Sequence, residues 1–252
     1  MKNLKDKIAA NELTLGSWIT LAHPSIAEIM AGAGFDWLAV DLEHSSITIR
    51  EAEELIRIID LAGVYPLVRL TSNNPDQIKR VMDSGAHGVI VPMVNSAADA
   101  RRAVSAVKYP VQGNRGFGLA RAQGYGTRFK EYLDWQRDNS IVIVQIEHID
   151  AVNDLEAILT TDGVDGYIVG PYDLSGSMGI PGQFDHPDLL AAMATIATVA
   201  EKLNKVGGIH IVEPDPAQLQ AKIDQGQKFI AYSVDIRMLD VSCRTGLEGI
   251  NK

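Results

Sequence analysis

The sequence predicts an α/β fold, a single (β/α)8 TIM barrel that occupies residues 1–252 as one domain. Short apolar runs alternate with helical patterns along the chain, and those runs are apolar at almost every position, as strands covered on both faces must be. No linker or shift in composition divides the 252 residues. A doubly wound open sheet remains the alternative, because a strand count taken from one sequence is uncertain by about one or two strands.

The first half of the chain predicts four strand–helix pairs after a short polar helix at 4–11. Pro24 suits the first turn of a helix, where the missing N–H would have had no partner. Thr48 and Glu51 form a capping-box pattern, and Gly63 and Gly85 end the helices that precede them. The strands are expected at 15–20, 36–41, 65–70 and 87–92, and the helices at 24–33, 48–63, 74–84 and 96–107.

The second half predicts four more strands, after a less regular segment at 108–140 that contains a Gly-rich run. The β-branched run at 141–144 indicates strand five, and the run at 167–169, which breaks at Gly170 and Pro171, indicates strand six. Between them, Val152, Leu155, Ile158 and Leu159 have helical spacing. The remaining elements are expected as helices at 187–206, 215–225 and 236–246 and strands at 207–212 and 228–233.

The bulk composition excludes several classes of protein. A formal net charge of −9 argues against general nucleic-acid binding, which requires a basic face. The single cysteine, Cys243, cannot form an internal disulfide and favours a reducing cytoplasm. The N-terminus lacks the apolar core of a signal peptide, and no apolar run is long enough to span a bilayer. The expectation is therefore a soluble cytoplasmic protein with no membrane partner.

Polar and charged side chains stand where several predicted strands end. The carboxyl ends of the strands in a barrel meet at one rim, where barrel enzymes carry their reactive groups. Strands two, three, five and six deliver Asp41, Glu43, His44, Arg69, Gln145, Glu147 and Asp173. The other strands deliver Trp18, Pro92, His210, Val212, Ser233 and Asp235.

Glu147 and Asp173 follow neighbouring parallel strands, so both are expected at the same rim. Two converging carboxylates suit a hard divalent cation such as Mg²⁺ or Mn²⁺, and they predict a metal-dependent lyase. The alternative is that both are helix caps, because acidic residues are common at helix N-termini.

Arg69 and His44 add chemistry to this rim. Arg69 ends an apolar strand and needs an anion, which is either a structural carboxylate such as Asp41 or a substrate. His44 is of the type that transfers protons near neutral pH, or else a hydrogen-bonded loop histidine. No lysine lies at the carboxyl end of a predicted strand. Lys228 begins strand eight, so it is expected at the opposite rim. This argues against Schiff-base chemistry on a lysine.

Several ordered motifs together resemble the HpcH/HpaI aldolases, over nearly the whole chain. These are class II, metal-dependent pyruvate aldolases, which include 4-hydroxy-2-oxoheptanedioate and 2-keto-3-deoxy-sugar-acid aldolases, on a barrel of the phosphoenolpyruvate/pyruvate-domain type. The motifs are Gly34-Phe35-Asp36-Trp37, Asp41-Leu42-Glu43-His44, Arg69, Gly85-Ala86-His87-Gly88-Val89-Ile90-Val91-Pro92, Arg115-Gly116-Phe117-Gly118 with Arg121-Ala122, Gln145-Ile146-Glu147 and Gly170-Pro171-Tyr172-Asp173-Leu174-Ser175.

The resemblance implies a role for each rim residue. Glu147 and Asp173 would bind the divalent metal ion, Mg²⁺, Mn²⁺ or Co²⁺, and Gln145 would support the metal shell or the substrate. The backbone N–H groups of Gly170 and Tyr172 would hold the pyruvate carboxylate.

The resemblance also assigns the groups that act on the substrate. Arg69 would contact the keto oxygen and stabilise the enolate, and His44, oriented by Asp41, would be the acid/base group. Trp18 and Val212 would line the aldehyde end, although they read equally well as ordinary barrel side chains.

The implied assembly is a homohexamer built from dimers that exchange their last helix. Asp83 matches a position that reaches the site of a neighbouring subunit. Met238, Leu239 and Val241 give the last helix an apolar face, which could equally pack on its own barrel.

The reaction implied is reversible cleavage of a 4-hydroxy-2-keto acid to pyruvate and an aldehyde. One alternative is a citrate-lyase-β-like or malyl-CoA-lyase-like acyl-CoA lyase, which shares the barrel and the two carboxylates but needs a surface for a nucleotide tail. Another is a barrel that binds a ligand or acts as an assembly subunit without catalysis.

Two departures bear on the substrate. Tyr172 stands where the family often has a smaller residue, so its ring could narrow the site. Neither the Gly-rich loop at 115–118 nor the strand-eight exit at 233–235 has the glycine spacing of a phosphate site, which favours a non-phosphorylated aldehyde.

Overall fold

Eight parallel strands, hydrogen-bonded in chain order, close into a barrel in the computed structural model, which describes residues 2–250. The last strand pairs with the first, through Leu15 opposite Ile230, and this closure excludes the open sheet. The predicted (β/α)8 barrel is therefore confirmed. The strands are β1 (Thr14–Ile19), β2 (Trp37–Asp41), β3 (Tyr65–Arg69), β4 (Gly88–Val91), β5 (Ile141–Ile146), β6 (Gly166–Val169), β7 (Val206–Ile211) and β8 (Phe229–Val234).

Helices surround the barrel and follow the strands in sequence. They are α1 (Leu4–Ala9), α2 (Pro24–Ala31), α3 (Ile49–Leu61), α4 (Pro75–Asp83), α5 (Ala97–Val107), α6 (Phe129–Asn139), α7 (Ile149–Asn153), α8 (Leu155–Leu159), α9 (Pro171–Ser177), α10 (Pro187–Lys202), α11 (Pro216–Asp224) and α12 (Asp235–Thr245). A 3₁₀ segment runs from Arg121 to Gly126.

The sequence signals for helix starts are reproduced in the structure. Thr48 accepts a hydrogen bond from the N–H of Glu51, whose carboxylate accepts one from the N–H of Thr48 at 2.7 Å. Pro24 occupies the first turn of α2. The first N–H groups of a helix have no partner within the helix. The capping box provides acceptors for them, and a proline at the first turn has no N–H to satisfy.

Two helical regions differ from the prediction. The segment at 108–140 is less irregular than expected, because α6 occupies most of its second half. That helix buries only Tyr132 and Gln136, so it carries little of the periodic apolar pattern that predicts a helix. The pattern at 152–159 forms two short helices, which meet at the non-helical residue Asp154.

Side chains alternate between two apolar layers along each strand. One layer lies between the strands and the helices and contains residues such as Val68 and Val142. The other fills the barrel interior, where Trp37 stacks on Phe229 with 4.4 Å between ring centroids. The interior is thus a packed core rather than a pore, and it supports the residues at the carboxyl ends of the strands.

Among residues 2–250, no helix combines the length and the apolar character needed to cross a membrane.

Gly16 provides a test of this interior packing. A Cβ at residue 16 would lie 2.0 Å from the fully buried ring of Trp37, which is also stacked on Phe229 and has little room to move. We expect Gly16→Ala to lower the free energy of unfolding by about 3 kcal/mol, measured by denaturant titration.

Gly32→Ala is the matched control for this substitution. Gly32 ends α2 at a φ of −74°, and a Cβ there would make only ordinary contacts at 3.5 Å. Its free energy of unfolding should change by less than about 0.5 kcal/mol. Equal stability of the two variants would show that the barrel interior is not packed as described.

Candidate active site

The barrel interior becomes polar at the carboxyl ends of its strands. Below the rim, Ala39, Leu67 and Ile143 point inward as part of the apolar core. Residues two positions further along a strand point to the same face, so they form the next inward layer. This layer, the floor of the site, consists of Trp18, Asp41, Arg69, Gln145 and His210.

Glu147 and Asp173 converge around Gly170. A Cβ at position 170 would lie 2.8 Å from Oε2 of Glu147 and 3.8 Å from Oδ2 of Asp173, so both carboxylates face the space that the glycine leaves. Glu147 is 3% exposed, and its Oε1 accepts a hydrogen bond from the N–H of Met93 at 2.7 Å. Asp173, in the first turn of α9, remains accessible to solvent.

The electrostatics of this pair favour a cation. Burial raises the pKa of Glu147, the Met93 N–H and Gln145 oppose that shift, and the charge of Asp173 adds to it. A negative charge that is costly to bury beside a second carboxylate is stabilised by a divalent ion. Gln145 stabilises the ionised form, since its Nε2 donates to Oε2 of Glu147, while its own Oε1 is buried and has no partner among residues 2–250.

The number of protein ligands also fits Mg²⁺ or a similar ion. Within residues 2–250, no group of three or more His, Cys, Asp or Glu side chains is arranged to hold a metal. Two carboxylates alone are the usual protein contribution to a magnesium site, where water and substrate oxygens complete the shell. The pair therefore fits a metal that also binds a small chelating ligand.

Asp41 holds Arg69 in place. Asp41 lies opposite Arg69 in the β2–β3 register, and its carboxylate accepts from Nε at 2.9 Å and from Nη2 at 2.5 Å. The guanidinium carbon lies 4.3 Å from the centroid of the Trp18 ring. The sequence left either a structural carboxylate or a substrate as the anion that Arg69 needs, and the structure shows the carboxylate of Asp41. Nη1 makes no hydrogen bond in the described part of the chain, so it can contact a ligand.

The relation expected between Asp41 and His44 is different in the structure. Asp41 Oδ1 accepts from the backbone N–H groups of Glu43 at 3.0 Å and His44 at 3.3 Å, but it makes no hydrogen bond to the imidazole. The His44 side chain is 66% exposed, and its Nε2 lies 3.8 Å from Oε2 of Glu43. Asp41 thus orients the backbone before His44 and not the ring, because its two oxygens are already committed to Arg69.

Glu43 is a site residue whose role could not be predicted from the sequence. Burial raises its pKa to about 7, Arg69 opposes the shift, and the charges of Glu147 and Asp173 add to it. Its Oε2 is buried and lies 3.4 Å from Nε of Arg69. Its position in the Asp41-Leu42-Glu43-His44 motif was the only signal, since the loop that turns it toward Arg69 has no pattern of its own.

The predicted carboxylate donors need a correction. The N–H of Gly170 donates to the carbonyl of Ile146 at 3.2 Å, continuing the β5–β6 hydrogen bonds, so it is not free to bind a substrate. The N–H groups of Tyr172 and Asp173, in the first turn of α9, have no acceptor in residues 2–250. Pro171 has no N–H, so these two are the available donors at this helix start.

The remaining predicted residues lie in three different places. Trp18 is buried under Arg69, and its Nε1 has no partner in the described chain. Val212 is 47% exposed just beyond β7, and its carbonyl accepts a hydrogen bond from Ser233. Asp83 ends α4 at the opposite end of the barrel, where it pairs with the buried Arg115. Asp83 therefore lies away from the site of its own barrel.

Comparison with known proteins finds the same family across the chain. Residues 14–240 match the family model described as HpcH/HpaI aldolase/citrate lyase. The chain is 39% identical to 4-hydroxy-2-oxo-heptane-1,7-dioate aldolase of Salmonella typhimurium, over 95% of this chain and 91% of the relative. It is 37% identical to hydroxypyruvate/pyruvate aldolase of Cupriavidus necator, over 93% of this chain and 87% of the relative. The crystal structure of an HpcH/HpaI aldolase/citrate lyase family protein from Burkholderia cenocepacia superposes with a TM-score of 0.91, at 33% identity and 97% coverage of both chains.

Proposed function

The chain belongs to the HpcH/HpaI aldolase/citrate lyase family and is a lyase that acts on carbon–carbon bonds, and on this basis we propose that it is a divalent-metal-dependent pyruvate aldolase. It cleaves a 4-hydroxy-2-keto acid reversibly to pyruvate and an aldehyde. The observation that supports this most is the convergence of Glu147 and Asp173 on the space beside Gly170, next to Arg69.

Glu147 and Asp173 are the residues that would hold the metal, and Gln145 donates a hydrogen bond that favours the ionised form of Glu147 and orients it. A bound divalent cation supplies a Lewis acid for the keto oxygen and the carboxylate of the substrate. The N–H groups of Tyr172 and Asp173 bind that carboxylate, replacing the Gly170 donor that the sequence suggested.

Arg69 stabilises the charge that develops during cleavage. When the bond between C3 and C4 breaks, its electrons move onto the keto oxygen of the pyruvate half. Arg69 is permanently charged and already held by Asp41 and Trp18, so it stabilises this oxygen without reorganising.

His44 accepts the proton of the 4-hydroxyl group during cleavage and delivers it to C3 of the enolate to give pyruvate, and the aldol direction reverses both transfers. Its exposed imidazole lies at the open side of the site, beside Glu43. General base catalysis of this kind is worth on the order of 10²–10⁴ in rate.

We extend the proposal to the aldehyde and the assembly. Trp18 and Val212 line the aldehyde end, which takes a non-phosphorylated aldehyde. The protein acts in the cytoplasm as one barrel domain per chain, in a homohexamer whose dimers exchange α12. Ile236 and Leu239 support a partner for that helix, since they expose 48% and 52% of their surface. Asp83 then reaches a neighbouring site.

Chelation tests the metal requirement. We expect EDTA to abolish pyruvate release from 4-hydroxy-2-keto acids, and Mg²⁺, Mn²⁺ or Co²⁺ to restore it, because Glu147 and Asp173 cannot polarise the keto oxygen themselves. A coupled lactate dehydrogenase assay measures the product. Full activity after chelation and dialysis would contradict the proposal.

The acyl-CoA lyase remains the second candidate, because the family model covers citrate lyase as well. Acyl-CoA cleavage and retention on immobilised CoA distinguish it from the aldolase. We expect neither.

A further inference from the structure

His210 is an inward-facing residue of β7 that none of the steps above uses. Its ring meets the Trp18 ring edge-on, with 5.8 Å between centroids and an interplanar angle of 74°. Val212 lies two residues further along and shares its face. His210 is therefore in the floor of the site, beside Trp18 and one layer below Val212, the two residues assigned to the aldehyde end.

The hydrogen-bonding capacity of His210 is only partly used. Its Nε2 is buried and has no partner in residues 2–250, and the same is true of Nε1 of the adjacent Trp18. A backbone hydrogen bond with Ser233 raises the pKa of the imidazole, as expected when a ring N–H donates to a carbonyl. With the ring proton directed to Ser233, Nε2 is a free acceptor.

The charge state of His210 limits what it can bind. Burial and the nearby charge of Arg69 lower its pKa to about 4, so the ring is neutral at pH 7. A neutral acceptor beside an indole N–H donor suits a hydroxyl group, which can donate and accept. It is a poor partner for a carboxylate, which can only accept.

We propose that His210 is a specificity-determining residue, whose Nε2 accepts a hydrogen bond from a hydroxyl group on the aldehyde half of the substrate. The preferred aldehydes are then small, uncharged hydroxyaldehydes rather than alkyl aldehydes. This inference rests on the proposed pyruvate aldolase function, and it narrows the substrate class of that same site.

Glycolaldehyde and propionaldehyde test the proposal, because they differ by a hydroxyl group in place of a methyl group. With pyruvate as the other substrate, we expect the parent enzyme to favour glycolaldehyde in kcat/KM by about tenfold, the scale of one lost hydrogen bond to a buried group. His210→Leu and His210→Met should reduce this ratio to near one. His210→Gln, which can place an oxygen near the Nε2 position, should restore most of it.

Exchange of the pyruvate methyl protons with D₂O, followed by NMR, is the control, since it involves no aldehyde. It should be unchanged in the apolar variants, which also shows that they fold. Failure of the parent to exchange would overturn the proposed function itself. Normal exchange with an unchanged aldehyde ratio in either apolar variant would overturn the role of His210 alone, as would a parent that does not favour glycolaldehyde.

Discussion

Glu147→Gln is expected to lower kcat for pyruvate release by about 10³-fold and to leave the fold intact. The substitution removes one of the two charges available to a divalent cation, and metal catalysis of this type lowers the activation barrier by several kcal/mol. Glu147 is nearly inaccessible to water and fixed by Met93 and Gln145, so no other carboxylate can take its position.

The thermal stability of the Glu147→Gln variant should not fall with its activity. Burial and the charge of Asp173 make ionised Glu147 costly in the metal-free protein. The neutral amide removes that cost, so the melting temperature without metal should be equal or higher, whereas the gain on adding Mn²⁺ should disappear.

Glu156→Gln is the matched control, since Glu156 is an exposed residue whose carboxylate pairs with Lys202 on the protein surface. It should retain both activity and the response to Mn²⁺. Glu147→Gln with near-normal activity would remove Glu147 from the metal site.

Replacement of Arg69 is expected to have the second largest effect, with kcat lowered by about 10²–10³-fold. This is the scale measured for loss of one preorganised donor to a developing oxyanion. Arg69→Ala also leaves the carboxylate of Asp41, which is 1% exposed, without its bidentate partner. We therefore expect a loss of about 3 kcal/mol in the free energy of unfolding as well.

A double variant separates catalysis from stability at this position. Asp41→Asn with Arg69→Met removes both charges and keeps most of the volume, so it should recover most of the lost stability. Its kcat should stay low, because no donor faces the keto oxygen. Recovery of activity together with stability would make Arg69 a structural residue only.

Elements whose physics is local could be predicted from the sequence. The apolar strands, the Thr48 capping box and Pro24 at a helix start depend on neighbours along the chain, and the structure has each of them. The convergence of Glu147 and Asp173 followed from one further rule, that parallel strands end at the same rim.

Hydrogen bonds between residues that are distant in sequence could not be predicted. The Gly170 N–H is consumed by Ile146 only because β5 and β6 pair in one particular register. Likewise, the side chain of Asp41 has two candidate partners in sequence, and only the opposed position of Arg69 decides between them. Neither the β5–β6 register nor the β2–β3 register can be deduced from the sequence.

Side-chain direction and dielectric environment were also beyond the sequence. Glu43 and His210 were both placed at the rim, but their roles depend on burial and on their proximity to Arg69. The helix α6 was missed for a related reason, because its contacts come from aromatic side chains of distant segments, such as Tyr109 on Tyr132.

The most direct test is a crystal structure of the protein with Mn²⁺ and pyruvate, with the metal located by its anomalous scattering. We expect one strong peak in each subunit, about 2.1 Å from carboxylate oxygens of Glu147 and Asp173, with pyruvate chelating the ion and its keto oxygen facing Arg69. A peak bound elsewhere, or pyruvate held without contact to these three residues, would contradict the proposed site.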